Sequence, residues 1–298
     1  MSKKNIFLTG GTGFIGKNIL EQLSDKYNIY APTHPELELD DTEAVKEYTK
    51  SHNFDVVIHA ANWGGTRKKT DDLVNNVEKN LKFFFNITRC KDHFGKLINL
   101  GSGAEYGKLY YTPKMKEDYF DKHVPVDEYG FYKYVCSKYI EKIEDAVNLR
   151  IFGCYGKYED YEIRFISNAI CKSIFDLPIT IANKNVFFDY LYIDDLIKII
   201  EYFINNTGEH RVYNITPDKS IDLLTIAKKV NKIAGKNSEI IIKNKGINLE
   251  YSGDNSRLKG EIKGIKFTEI EDGIKKLHEW YTKNKKLVEY DKISMDRY

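Results

Sequence analysis

The sequence predicts an α/β protein built on a doubly wound parallel sheet, and three observations carry that prediction. Short apolar runs alternate with amphipathic stretches through the first half of the chain. The runs are apolar at consecutive positions, as strands covered on both faces require. A glycine turn, Gly10-x-x-Gly13-x-x-Gly16, joins the first run to the first amphipathic stretch. Parallel strands need crossover helices, and the alternation supplies them.

Ile6-Phe7-Leu8 is the first strand, and Ile19, Leu20 and Leu23 recur at helical spacing behind the glycine turn. Residues 28–31 form the second strand. A helix follows over 42–51, with Asp41 or Thr42 able to cap it. The third strand is 55–60, and a long helix follows over 71–90. The fourth strand is 96–100, the next helix 129–147, and the fifth strand 149–152. After about Tyr155 the rhythm breaks: residues 156–187 read as a loop and helix, 190–193 as a late strand, and 194–203 as a helix. No Pro-, Gly- or Ser-rich linker divides the chain, so the second unit is expected to be interleaved with the first. Residues 1–155, with the late strand and helix near 188–205, form a Rossmann-type dinucleotide-binding unit. Residues 156–187 and 206–298 form a smaller C-terminal substrate-binding lobe. The charged tail from Asn284 is expected to be loosely held.

Composition narrows the function. The 298 residues are 42% hydrophobic and 30% charged, enough to build a core. A net charge of +2 gives no electrostatic case for nucleic acid or an anionic membrane. No apolar run approaches the roughly 18 residues of a membrane span. Cys90, Cys136, Cys154 and Cys171 show no Cys-x-x-Cys pair and read as reduced thiols of a cytoplasmic enzyme, with no metal site.

The glycine turn lies where a dinucleotide pyrophosphate would rest. Gly10 permits the tight turn, Gly13 lets backbone approach phosphate, and Gly16 lets the helix pack on the sheet. Thr12, Phe14 and Ile15 complete this candidate cofactor turn. An NAD enzyme usually carries an acid about 20 residues on. Here the second strand ends Tyr30-Ala31-Pro32-Thr33-His34, with no acid before Glu36. This leans towards NADP, with Thr33 and His34 near the extra phosphate.

Tyr129 and Lys133 have a spacing that puts a phenol and an ammonium on one helix face. With 22 tyrosines, roughly three Tyr-x-x-x-Lys pairs are expected by chance, so position must choose. Tyr129 opens a helix, and Ser102 follows the fourth strand. Both reach the carboxyl edge of the sheet, where open α/β sheets bind ligands. Such groups suit carbonyl chemistry. A free phenol titrates near 10, and a neighbouring ammonium favours its phenolate. Asn80 could relay protons towards Lys133.

In this order, the glycine motif, Ser102, Tyr129 and Lys133 resemble the extended short-chain dehydrogenase/reductase superfamily, in its NAD(P)-dependent nucleotide-sugar branch. Val57-Ile58-His59-Ala60-Ala61, Leu149-Arg150-Ile151-Phe152-Gly153-Cys154-Tyr155-Gly156 and Asp189-Tyr190-Leu191-Tyr192-Ile193-Asp194-Asp195-Leu196 are similar to further signatures of that branch. Glu36-Leu37-Glu38-Leu39-Asp40-Asp41 and Asn62-Trp63-Gly64-Gly65 resemble the GDP-L-fucose synthase group of 4-ketosugar reductases. The resemblance implies cofactor contacts from Leu39, Ala60, Ala61 and Lys133, and substrate contacts from Trp63, Ser102 and Tyr129. It also implies NADPH, a nucleotide-diphosphate sugar substrate, a role in polysaccharide biosynthesis, and a homodimer formed by the helices at 71–90 and 129–147.

The departures from that pattern matter as much. Ala104 stands where fucose synthases carry a Cys for epimerisation, and no His lies near Arg164, where its partner belongs. Gly103 and Ala104 replace the Asp and Glu of the related dehydratases. Glu105 is one residue off, which on a strand means the opposite face. Phe188 stands where an Arg often grips substrate phosphate, and Gly153 replaces an Asn that commonly touches substrate. Arg164, Lys172 or Arg257 would supply the missing charge. The expected activity is NADPH-dependent reduction of a C4 keto group on a nucleotide-activated 4-keto-6-deoxy sugar or 4-keto heptose, without C3/C5 epimerisation. The alternatives are a nucleotide-sugar 4-epimerase holding NAD tightly and a non-catalytic NADP-binding regulator.

Overall fold

The computed structural model describes residues 3–64 and 75–295. The chain begins β1 (Asn5–Thr9), α1 (Phe14–Leu23), β2 (Asn28–Tyr30), α2 (Thr42–His52), β3 (Phe54–His59) and α3 (Asn76–Arg89). It continues with β4 (Phe94–Ser102), α4 (Glu128–Ile140), β5 (Ala146–Ile151), β6 (Gly153–Tyr155), α5 (Phe165–Ile174), β7 (Ile179–Ile181) and β8 (Phe187–Tyr192). Then come α6 (Ile193–Asn205), β9 (Val212–Ile215), β10 (Ser220–Asp222), α7 (Leu223–Ala234) and β11 (Ile240–Ile242). The chain closes with α8 (Ser256–Glu261), α9 (Ile270–Lys283) and α10 (Tyr290–Ser294).

Six strands form one parallel sheet in the order β2-β1-β3-β4-β5-β9. Side chains alternate across it. Ile6, Leu8, Val56 and Ile58 pack with α1 and α6, whereas Phe7 and Val57 pack with α2, α3 and α4. Helices on both faces explain why the strands carry apolar residues at consecutive positions. The doubly wound α/β class read from the sequence is therefore the observed one.

Several boundaries move. The helix expected over 129–147 ends at Ile140, because Ala146 and Val147 pair with Leu97 and Ile98 as the start of β5. The turn between them passes through Asp145 at φ 50°, which no helix tolerates. The late strand does not join the large sheet, and the stretch 206–298 expected to belong wholly to the smaller lobe contributes Val212–Ile215 to that sheet. β8 pairs with β6 and β10 in a separate three-stranded sheet, and β9 takes the sixth place instead. α6 still packs on the large sheet beside α1. β7 and β11 form a two-stranded parallel pair. Asp41, one of two candidate caps for α2, accepts the Ala44 N–H at 3.0 Å. The tail after Asn284 is held more firmly than its charge suggests, since Val288 and Ile293 are buried in the core. The predicted start of the long helix, 71–74, lies outside the described residues.

A buried polar network ties β4, β5, β9 and α4 together. Arg150 of β5 donates from Nε to Glu105 Oε2 at 2.6 Å and from Nη2 to Ser137 Oγ of α4 at 2.9 Å. Its Nη1 reaches the Tyr106 hydroxyl at 3.1 Å, which in turn donates to Asn214 Oδ1 of β9 at 2.7 Å. Both charged side chains are almost wholly buried. Removing one partner strands the other charge away from water, a loss of about 3–5 kcal/mol. Glu105→Ala is therefore expected to lower the unfolding free energy by about that amount in a urea titration.

Candidate active site

The glycine turn is a backbone-to-backbone contact. Gly10 has φ +75°, and a Cβ there would lie 2.8 Å from the Ala61 Cα and N. A Cβ on Gly16 would come within 2.1 Å of the Gly10 carbonyl oxygen. Neither position admits a side chain. Gly13 begins α1 without any side-chain cap, and the first turn of the helix contains no acid. The N–H groups that open α1 are thus left facing outward around Thr12, Phe14 and Ile15, a cradle suited to pyrophosphate. The residues present fit a dinucleotide.

The end of β3 is stitched to this elbow. Thr9 Oγ1 accepts the N–H groups of Ala60 and Ala61 at 3.2 and 3.1 Å and meets His59 Nδ1 at 3.0 Å. Burial, with Lys133 nearby, pushes the His59 imidazole down to about 3, so it stays neutral. Ala60 and Ala61 lie against Gly10, where the sequence reading put a cofactor contact.

Residues expected at the adenosine end have partners of their own. Glu36 accepts both the Thr33 N–H, at 2.7 Å, and the Thr33 hydroxyl, at 2.8 Å. His34 Nδ1 lies 2.7 Å from Glu38 Oε1. Two carboxylates therefore flank the place where the extra phosphate of NADP was expected. Leu39 packs at the edge of the core near α2 and α3, with its carbonyl accepting from Asn86. Trp63 belongs to this end too. Its ring lies 6.3 Å from that of His34, with the Lys79 ammonium 3.6 Å from its centroid. Asn80 clamps the Trp63 backbone through both its oxygen (2.9 Å) and its nitrogen (3.0 Å), and its second amide hydrogen goes to Asn76. That clamp replaces the proton relay expected of Asn80.

Ser102 closes β4 and caps a tight 3-10 turn, 103–106. Its Oγ accepts the Ala104 N–H at 3.1 Å, while Glu105 Oε1 accepts the Ser102 N–H at 2.9 Å. Glu105 is thus not a residue on the far face of a strand, as its spacing suggested. It is a capping-box carboxylate folded under Ser102.

Lys133 and Tyr129 come from α4. Lys133 is buried, and its Nζ donates to the Leu100 carbonyl of β4 at 2.7 Å. Tyr132 hydrogen-bonds Asn62 after β3, and its ring meets that of Tyr129 edge-on at 5.5 Å. Asp127 caps the helix by accepting the Gly130 N–H at 3.0 Å. Gly130 lets the helix start rest on the 3-10 turn, since a Cβ there would lie 2.8 Å from the Ala104 oxygen. Tyr129 is 39% exposed, so its phenol can meet a ligand. The neighbouring pair Tyr134 and Lys138 is drawn instead to Asp121.

The sequence missed two phenols. Tyr251 lies over residue 103, where a Cβ would come within 2.5 Å of its hydroxyl, and its ring stands 4.8 Å from that of Tyr111. Nothing in the pattern around residue 251 signals this, because the contact spans nearly half the chain. The substrate cations expected from the sequence do not gather here. Lys172 is 3% exposed, on the buried side of α5, with its ammonium 3.4 Å from Thr180 Oγ1. An ammonium in that position is enclosed within the lobe and cannot reach a ligand at the sheet edge. Arg164 begins α5 beside Glu159. Arg257 donates to Asp118 at 3.0 Å and to the Val212 carbonyl at 3.1 Å. Phe188, in place of the usual Arg, packs 5.7 Å from the Tyr251 ring.

Among the described residues, no helix is long and apolar enough to cross a membrane. Comparison with known proteins gives a consistent picture. GDP-L-colitose synthase from Yersinia pseudotuberculosis is 26% identical over 304 residues, covering 94% of this chain and 98% of that protein. The dTDP-4-dehydro-6-deoxyglucose reductase of Escherichia coli is 28% identical, covering 92% of this chain and 96% of its own length. Among solved structures, the GDP-mannoheptose C4 reductase of Campylobacter jejuni with NADP bound superposes with a TM-score of 0.80 at 20% identity. That superposition covers 95% of this chain and 99% of that one. The family model for the NAD dependent epimerase/dehydratase family matches residues 6–216, from the first strand through β9, and the chain belongs to that family.

Proposed function

We propose that the protein reduces the C4 carbonyl of a nucleotide-activated 4-keto-6-deoxy sugar, or of a 4-keto heptose, with NADPH and without epimerising C3 or C5. One observation carries the reading: Ser102, Lys133 and Tyr129 are anchored around the carboxyl end of β4, Lys133 to Leu100 and the start of α4 to Ala104. The backbone of Gly10, Thr12, Gly13, Phe14, Ile15 and Gly16 would hold the pyrophosphate. Ala60 and Ala61 would line the elbow, with Thr33, His34 and Leu39 towards the adenosine. The dinucleotide supplies a hydride to the carbonyl carbon when bound.

The chain's own groups then account for the proton. Tyr129 donates its phenolic hydrogen to the carbonyl oxygen, turning the ketone into an alcohol. Ser102 donates a hydrogen bond to the same oxygen, where negative charge develops. Lys133, fixed at β4, holds the nicotinamide ribose and stabilises the phenolate left on Tyr129. The surroundings of Ser102 support simple reduction. Ala104 offers a methyl group, the position of Gly103 is closed by the Tyr251 hydroxyl, and Glu105 is occupied by Arg150 and the Ser102 N–H. No acid–base pair for epimerisation or dehydration stands there among the described residues. The sugar would lie between the six-stranded sheet and the lobe that carries β6, β8 and β10. A cytoplasmic homodimer built on α3 and α4 completes the reading, with Phe131 and Tyr139 exposed on α4.

Tyr129→Phe is expected to lower kcat for GDP- or dTDP-linked 4-keto-6-deoxyhexoses by about 10²–10⁴-fold while NADPH binding persists. NADPH oxidation at 340 nm and a fluorescence titration of the cofactor check the two halves. Full activity in that variant would remove Tyr129 from the chemistry. Protein that purifies with stoichiometric NAD and oxidises no NADPH would be a 4-epimerase instead. Glu36 is the carboxylate a 2′-phosphate must displace from Thr33. Glu36→Gln is therefore expected to tighten NADPH binding several-fold and leave NADH binding unchanged, in the same titration.

A further inference from the structure

We propose that Lys79 is the residue that selects NADP over NAD, its ammonium reaching the 2′-phosphate from α3 and not from the end of β2. The inference rests on reading NADPH as the cofactor, and it names the cation that such a reading needs. The segment after β2, residues 31–41, carries Glu36, Glu38, Asp40 and Asp41 and no Lys or Arg. Its one basic side chain, His34, has Nδ1 2.7 Å from Glu38 Oε1, and Glu36 accepts from both the N–H and the hydroxyl of Thr33. A phosphate dianion set among these carboxylates is repelled unless a positive charge faces it from another element.

The third helix brings that charge. The Lys79 ammonium stands 3.6 Å from the centroid of the Trp63 ring, and that ring lies 6.3 Å from the ring of His34. The indole thus seats an ammonium beside the residue expected at the 2′-phosphate. The next residue of the same helix fixes the seat. Asn80 Oδ1 accepts the Trp63 N–H at 2.9 Å, and its Nδ2 donates to the Trp63 carbonyl at 3.0 Å and to the Asn76 carbonyl at 2.8 Å. Trp63 and Lys79 are therefore held by one turn of α3. The other lysine on this side, Lys82, lines a groove with Glu38, Asp40, Asp41 and Thr42. An ammonium resting on an aromatic face keeps its charge and gives up only a weak contact when a phosphate arrives. It acts on phosphate as a point charge, without the planar fit an Arg requires. Confining a long side chain beforehand also lowers the cost of ordering it on binding.

Titration calorimetry with NADPH, NADH, adenosine 2′,5′-bisphosphate and 5′-AMP reads this contact without turnover. Wild-type protein is expected to bind the two 2′-phosphorylated ligands at least about tenfold more tightly than their counterparts, the effect of one charge-assisted contact. Lys79→Met is expected to remove most of that preference while NADH and 5′-AMP bind within about twofold of wild type, which also shows that the fold is intact. Lys79→Arg, which keeps the charge, is expected to retain the preference. Lys82→Met, which removes the same charge three residues on, is expected to leave it in place. A Lys79→Met protein that still prefers NADPH overturns the proposal, as does an equal loss for all four ligands or the same loss from Lys82→Met. In those cases a wild-type preference for NADPH leaves the cofactor reading standing. Wild-type protein that binds NADPH and NADH alike removes that reading and the proposal with it.

Discussion

The ion pair between Glu105 and Arg150 lies beneath the carboxyl end of β4, shut off from water, and the candidate site is built on top of it. One Glu105 oxygen binds the guanidinium, while the other accepts the Ser102 N–H and sets the 3-10 turn behind it. Arg150 also holds Ser137, one turn beyond Lys133 on α4. Moving this carboxylate would loosen Ser102 and the helix carrying Tyr129 and Lys133 together. Such a pair contributes little net stability compared with an apolar replacement of the same shape. What it fixes is geometry, since its bonds hold only when β4, β5, β9 and α4 are all in register.

The cofactor side depends on the opposite device, the absence of side chains. Gly10 and Gly16 bring the loop, the end of β3 and the start of α1 so close that no Cβ fits, leaving backbone N–H groups as the recognition surface. The substrate side again turns on a glycine, since Gly103 makes room for Tyr251. Both lobes therefore meet at the turn after Ser102, one through the main chain of that turn and the other through a phenol over Gly103. Carbonyl reduction asks for such rigidity, because hydride and proton must arrive at adjacent atoms in a fixed orientation.

Much of this was legible in the residues. The glycine spacing, the apolar strands and the order of Ser102, Tyr129 and Lys133 are local signals, and local signals survive without coordinates. The preference for Tyr129 and Lys133 over Tyr134 and Lys138 rests on the same kind of signal, because only the first pair starts its helix. Less legible was whatever depended on where a strand pairs. Ala146 and Val147 read equally well as the end of a helix, and β8 as a member of the large sheet. Glu105 looked like a strand residue facing away because the 3-10 turn after Ser102 leaves no periodic trace.

By itself, the sequence determined the doubly wound class, the glycine elbow and the three polar residues at the sheet edge, since each follows from spacing along one or two neighbouring elements. Tertiary structure decided the rest. It placed Lys172 within the lobe, Trp63 beside His34, two carboxylates at the end of β2, and Tyr251 over Gly103. These are meetings between segments far apart in the chain. Their partners are chosen by packing and by the need to satisfy buried polar groups, and neither constraint is written in any single stretch of sequence.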